Sequence, residues 1–193
     1  MSEADTEAEA DVERREAVLL DVLPTGRPDD DRPQHRKQPV AYGLGVDEFR
    51  VYELTLAESA EPSVGDRIDL DGGLVGRYRE VDLADVTRNA DAELEYAVEA
   101  IVDADERRFV DFFNDAQPIS LRLHMLNLLP GIGDKLRDNV LDQRKRHGPF
   151  ESFEDLSERV DGLHSPREVI TDRIMAEIRE DDHKYRAFAT RSS

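Results

Sequence analysis

The stretch of this sequence best suited to chemistry is LNLLPGIGDKLRDNVLDQRKRHGPFESFEDL, Leu126 to Leu156. Leu126 and Leu129 close one helical pattern, Pro130 breaks it, and Gly131-Ile132-Gly133 makes a tight turn into the next helix. Glycine permits backbone angles that a Cβ forbids, and it lets another molecule's oxygen come close to the main chain. The helix that follows begins with unpaired N–H groups and the positive end of its dipole, a seat for a phosphate oxygen. Lys135, on the first turn, adds a point charge, and Ile132 is expected to point inward and pin the turn between two helices. The chemistry these residues predict is the binding of a phosphate backbone, with no bond made or broken.

That stretch departs from the rest of the chain in charge. Across 193 residues, 26 Lys+Arg oppose 45 Asp+Glu, a formal net charge of −19. Residues 121–149 instead carry Arg122, Lys135, Arg137, Arg144, Lys145 and Arg146 against only Asp134, Asp138 and Asp142. The whole chain has four lysines, two of them in this window. Excess acid with scarce lysine is the composition expected of a halophilic protein. High net charge keeps such chains apart, and a Debye length of about 3 Å at 1 M salt screens the repulsion. Pairs of carboxylates then report surface solvation and nominate no active site. Net acidity, for the same reason, does not exclude a nucleic-acid partner.

Leu, Ile, Val and Phe make up about a quarter of the chain, above the roughly one-fifth level below which highly charged chains stay disordered. No run of 18 apolar residues exists, which excludes a membrane-spanning helix. Residues 1–16 hold seven acids and two arginines, the opposite of a secretory signal's basic start and apolar middle. The absence of cysteine removes disulfides, thiolate metal sites and cysteine nucleophiles together. A soluble, cytoplasmic protein is expected.

The positioning elements follow from hydrophobic period. Residues 1–15 read as a disordered acidic tail. EAVLLDVLP (Glu16–Pro24), VAYGLGV (Val40–Val46), EFRVYELTL (Glu48–Leu56), VGDRIDL (Val64–Leu70) and LVGRYREV (Leu74–Val81) read as five short strands, with residues 25–39 as a loop. Strands at this density without intervening helices predict a small closed or partly open β-barrel over residues 16–81. Leu94, Ala97, Val98, Ile101 and Val102 then follow helical spacing, and Phe109, Val110, Phe112 and Phe113 form a second apolar face. Residues 82–117 are therefore linking helices, and the phenylalanine cluster is expected to join barrel to helices. From Pro118 a helix is predicted to Leu129, followed by helices near 134–147, 153–160 and 166–180. Ser152 with Asp155, and Ser165-Pro166 with Glu168, read as capping boxes. The fold class expected is α+β, a β-barrel followed by an all-α domain over residues 118–188.

The turn with its flanking helices resembles the helix–hairpin–helix motif, a sequence-independent binder of nucleic-acid backbones. The match includes the apolar pair before the proline, the Pro-Gly-Ile-Gly turn, Val140, and the downstream GPFESFEDL. Arg137 stands where the motif generally has a small apolar residue. RVDGLHSPREVITDRI (Arg159–Ile174) looks like a degenerate second copy, with Asp161-Gly162-Leu163-His164 in place of the first turn. An ordinary capped helix after a glycine turn is the alternative there. More widely, AVLLDVLPTG, DEFRVYELTL, ERRFVDFFNDAQPISLRLHMLNLLPGIG and PFESFEDLSERV resemble the archaeal "domain of unknown function 655" family, over about residues 16–188. With its acidic composition the chain looks like a haloarchaeal-type member. The resemblance implies an OB-like barrel followed by helix–hairpin–helix elements, and a nucleotide- or RNA-binding role without an established reaction.

In the barrel, Tyr52 and Tyr78, with Tyr42 and Phe49, are candidates to stack on bases, though strand aromatics more often pack in cores. Arg77 and Arg79 suggest a basic stripe beside Tyr78. The five histidines have no metal-ligand spacing. No phosphate-binding Gly-x-x-x-x-Gly-Lys stretch, dinucleotide fingerprint or Gly-x-Ser-x-Gly elbow occurs. Base-excision glycosylases share the hairpin but follow it with Gly-Pro-Asp, where this chain has phenylalanine in His147–Phe150. The expectation is a non-enzymatic binder of nucleic acid, RNA before DNA, with no cofactor and no metal. Its contacts are Gly131, Ile132, Gly133, Lys135, Arg137, Arg144, Lys145 and Arg146, with Tyr52, Arg77, Tyr78 and Arg79 on the barrel. Ribosomal or transcription proteins are further candidate partners, the hairpin then being purely structural.

Overall fold

The computed structural model describes residues 14–180 and 182–190. The tail expected over residues 1–15 therefore lies, except for Arg14 and Arg15, outside the described residues. Five antiparallel strands form where the hydrophobic pattern places them: β1 (Glu16–Leu23), β2 (Val40–Gly45), β3 (Val51–Leu56), β4 (Arg67–Asp69) and β5 (Val75–Glu80). Their order is β4-β1-β2-β3-β5, so β4 and β5 are edges and the sheet is a curled half-barrel.

The apolar run Ala17–Leu20 of β1 reflects burial on both faces of the sheet. Ala17 and Leu19 meet Ala41, Tyr52, Leu54, Leu56 and Ile68 on the face that the curl covers. Val18 and Leu20 meet Tyr42, Leu44, Val51 and the helices on the other. A bulge between Leu19 and Asp21 shifts the register against β2. Asp21 is then buried, and it accepts the Thr87 hydroxyl at 2.5 Å. Thr87 Oγ1 in turn caps α1 (Arg88–Ala104) by accepting from the Ala90 amide, which fixes the helix start to the sheet.

The apolar stripe of α1 is buried as its spacing predicts, against β1 and β2. In α2 (Glu106–Asp115), Phe109 and Phe113 are fully buried. Phe109 lies 6.3 Å from Phe49 of the sheet and 5.8 Å from Phe188 near the C-terminus, so the cluster does join the two halves. Three helices follow: α3 (Asp134–His147), α4 (Phe153–Arg159) and α5 (Pro166–Arg179). Ser152 caps α4 through the Asp155 amide, but Ser165 makes no side-chain bond at the start of α5. No helix among the described residues is long and apolar enough to cross a membrane.

The helix expected from Pro118 to Leu129 does not form. Pro118 and His124 instead pair across a tight hairpin, in which the Ile119 and Ser120 amides both donate to the Leu123 carbonyl. Only Met125–Leu128 coils, as one 3-10 turn. Its start is set by local side chains: His124 Nδ1 accepts from the Leu126 amide at 3.1 Å, and Asn127 Oδ1 accepts from the His124 amide at 3.3 Å. Such side-chain bonds compete with a helix begun earlier.

This cap carries a pH dependence. Burial, with Arg144 and Arg137 adding like charge, holds the His124 imidazole below its ordinary value of 6.5. The neutral ring is favoured on folding, so its stabilisation is complete above pH 6.5 and is lost as pH falls through the folded value. Thermal melts between neutral and mildly acidic pH will show a falling midpoint, and His124→Asn, which keeps a capping acceptor, will flatten that component.

Candidate nucleic-acid interface

Gly131 has φ +76°, a left-handed conformation that glycine adopts without strain, and it turns the chain sharply after Pro130. Ile132 is 4% exposed and enters the core, as expected. Its amide is not free, because it donates to the Leu129 carbonyl at 3.3 Å. Gly133 is the N-cap of α3 and, having no side chain, leaves the first-turn amides uncapped from within. A Cβ added at Gly131 or Gly133 would meet nothing within 4 Å, so the turn faces open space.

The segment read as a degenerate second copy repeats this backbone. Val160, Gly162 and Leu163 correspond to Leu129, Gly131 and Ile132. Gly162 has φ +92°, Leu163 is 2% exposed, and its amide donates to the Val160 carbonyl at 3.1 Å. The two turns lie side by side: Asn139 Nδ2 donates to the Asp161 carbonyl at 2.9 Å, and one groove of ≈ 520 Å³ is lined by Gly131, Gly133, Asp134, Lys135, Leu136, Asn139, Asp161 and Gly162. The second turn offers an anion one N–H fewer, because α5 opens with Pro166, which has none.

The cations around the turn divide into two sets. Lys135 and Lys145 are exposed and make no ion pair or hydrogen bond among the described residues. Arg146 is exposed and bonds Asp142 at 2.9 Å. Arg137, by contrast, folds back over the turn: it donates to Asn127 Oδ1 and pairs with Asp134 and Asp138, while Asn127 Nδ2 holds the Ile132 carbonyl. Arg137 thus braces the turn from behind, which is how the fold accommodates an arginine at a position suited to a small apolar residue. Arg144 donates to the carbonyls of Phe113, Asn114 and Ala116 at 2.9, 2.7 and 3.2 Å, closing the C-terminal end of α2. Their internal partners commit both arginines to structure. Accordingly, Arg144→Met is expected to lower unfolding free energy by about 1–3 kcal/mol, with three carbonyls left to find new donors, as measured by urea denaturation.

On the sheet, Arg77 and Arg79 share the face of Thr55 and Glu53, while Tyr78 points to the opposite side. The stripe and the ring are therefore not adjacent in the sense expected. Tyr52 is 6% exposed, its hydroxyl donates to Glu48 at 2.5 Å, and its ring meets Tyr78 edge-on at 5.5 Å. Burial and the Glu48 carboxylate raise the Tyr52 phenol above its ordinary pKa. Tyr52 is a core residue, so its ring offers no face to a base. Arg77 Nε reaches Thr55 Oγ1 at 3.3 Å, and Arg79 reaches Glu53 at 2.9 Å. They line a groove of ≈ 410 Å³ together with Arg27, Arg32 and Gln38. Sequence reading placed these three in a loop and missed them. The available signal was the strand register, which sets Arg77 and Arg79 opposite Thr55 and Glu53. Arg27 and Arg32 are tied to Asp29, Glu53 and Asp30, so the groove carries little free positive charge.

A curled five-stranded antiparallel half-barrel, packed through a phenylalanine cluster onto five helices with paired glycine turns, defines a mixed α+β architecture. The model of the family described as "Protein of unknown function (DUF655)" matches residues 13–190, and the chain belongs to that family. An uncharacterised protein of Methanocaldococcus jannaschii is 34% identical over 169 residues, which cover 86% of this chain and 74% of that one. The crystal structure of Af1531 from Archaeoglobus fulgidus, a DUF655 protein, is 39% identical and superposes with a TM-score of 0.82, over 92% of this chain and 100% of that one.

Proposed function

We propose that this protein is a non-enzymatic, cytoplasmic nucleic-acid-binding protein, with RNA preferred to DNA, and that the Gly131 turn is a helix–hairpin–helix grip on a phosphate. The observation that carries the reading is the open turn itself. Gly131 and Gly133 present bare backbone at the uncapped N-terminus of α3, beside the unpaired Lys135. A phosphate oxygen seated there accepts main-chain N–H bonds strengthened by the helix dipole. Lys145 extends the positive surface along the same helix, with Arg146 beside it paired to Asp142. The half-barrel is read as OB-like, with the exposed Arg77 as its contribution and Arg79 beside it paired with Glu53.

Binding of this kind depends on short-range hydrogen bonds. In molar salt the counterion-release contribution is small, since duplex affinity falls by about 0.9 log units per phosphate for each tenfold rise in salt. Fluorescence anisotropy in concentrated KCl, against single-stranded RNA, structured RNA and duplex DNA, tests the reading and ranks the three. A folded Gly131/Gly133 double variant that retains affinity refutes the grip.

A second reading is favoured by the internal pairing of Arg137 and Arg144. In it, the hairpin is purely structural and the protein is an interaction module of the translation or transcription machinery. Partners that survive nuclease in a pull-down from high-salt extract favour this reading, and their loss favours the first.

A further inference from the structure

We propose that the hairpin over residues 117–125 is a wedge, whose tip residue Leu121 inserts into a base step of the nucleic acid held by the Gly131 turn. The proposal rests on the nucleic-acid reading above. A single exposed leucine is ordinary on a protein surface. Leu121 differs in three ways. It is the most exposed of the large apolar side chains in the described residues, at 106%, against 68% for Tyr96 and less for Leu74 and Val64. Its support is rigid: the Ile119 and Ser120 amides bond the Leu123 carbonyl at 2.8 and 3.0 Å, the Met125 amide bonds the Gln117 carbonyl at 3.0 Å, and the Arg122 amide bonds Ser120 Oγ at 3.3 Å. An apolar group held out on a braced turn loses little conformational freedom when it is buried.

The third difference is electrostatic. Residues 116–133 contain no Asp or Glu, the longest such run in a chain with 45 of them. That run holds the wedge, the exposed Arg122 and the Gly131 turn, with His124, Leu126 and Leu129 buried between the two exposed turns. A segment cleared of carboxylates in so acidic a protein fits a polyanion, and an apolar tip fits a polyanion with an apolar interior. Stacked bases between phosphates have both properties, and leucine is among the side chains used to prise base steps apart. The chain geometry permits both contacts on one short strand. Ten residues separate Leu121 from Gly131, at most about 35 Å of extended chain and less here because Met125–Leu128 is coiled.

The test uses RNA of roughly 16 nucleotides, long enough to span that reach at about 3.4 Å per nucleotide, with 2-aminopurine at successive positions. Wild-type protein is expected to raise the fluorescence at one position, marking an opened step. Leu121→Ala should return that position to the free-RNA level and weaken binding about tenfold, the loss expected from exposing a leucine's worth of apolar surface. Its melting temperature will be unchanged, because nothing packs on the tip. If Leu121→Ala keeps both the fluorescence rise and the affinity while Gly133→Ala loses binding, the wedge is wrong and the backbone grip stands. If wild-type protein binds no probe, the nucleic-acid reading and the wedge fail together. Self-association that depends on Leu121, without RNA binding, assigns the tip to a second copy of the chain and overturns the wedge.

Discussion

Gly133→Ala is expected to weaken nucleic-acid binding by at least about a hundredfold while changing the stability of the fold little. The backbone at Gly133 has φ −81° and ψ −177°, an extended conformation open to any residue, and a Cβ there touches nothing within 4 Å. Replacing glycine by alanine commonly adds about 0.4–1 kcal/mol of stability by restricting the unfolded chain, and here that gain offsets the poorer N-cap that alanine makes for α3. The same methyl group projects into the space that a phosphate oxygen must occupy. Losing two charge-assisted hydrogen bonds, at about 1.5–3 kcal/mol each, corresponds to at least the hundredfold stated. Gly131→Ala is a poorer probe, because φ +76° would strain an alanine by roughly 1–2 kcal/mol and confuse folding with binding. Paired measurements on Gly133→Ala, anisotropy for affinity and thermal melting for stability, separate the two effects. Wild-type affinity in this variant would sink the phosphate grip and leave the structural-hairpin reading.

Replacing Glu177 should produce the largest loss of stability. Its carboxylate is fully buried and accepts the amides of Ala187, Phe188 and Ala189 at 2.6, 2.9 and 2.8 Å, together with Arg173 Nε at 2.7 Å. These bonds hold residues 187–189 in place, so that Phe188 packs against Phe109 and Phe112 and the Thr190 amide reaches the Glu48 carbonyl of the sheet side. Glu177→Ala leaves three amides without an acceptor and Arg173, itself little exposed, without its counter-ion. Breaking a buried pair from one side costs about 3–5 kcal/mol. Urea denaturation will read that loss, and limited proteolysis will show cleavage near the C-terminus before the rest of the fold opens. Glu177→Gln keeps one carbonyl oxygen for the amides and is expected to lose less.

The elements with a strong period were legible in the residues alone. Five strands, the buried stripe of α1 and the limits of α3 follow from spacings that allow only one face to meet a core. The turn at Gly131 was legible because proline and two glycines permit little else. The second turn was legible only as one of two alternatives, since Gly162 and Leu163 keep the pattern but Asp161 has replaced the proline.

What failed were the features that depend on neighbours distant in sequence or on competing local bonds. The 118–129 segment has helical composition, yet His124 and Asn127 cap a later start and the chain before them closes as a hairpin. Tyr52 and Tyr78 alternate with charged residues as a binding strip would, but the curl of the sheet turns that face inward. Arg137 and Arg144 belong to a basic cluster by count, and their partners, Asn127 and the carbonyls ending α2, appear only when the helices pack. Glu177 looks like one more surface acid among 45 until the C-terminal segment folds over it. Local period and turn chemistry thus determined where the strands, helices and glycine turns lie, because those depend on each residue's own backbone and nearest neighbours. Tertiary structure decided which charges are free to meet a ligand, because a charge is spent or available according to the groups that packing brings within about 3 Å of it.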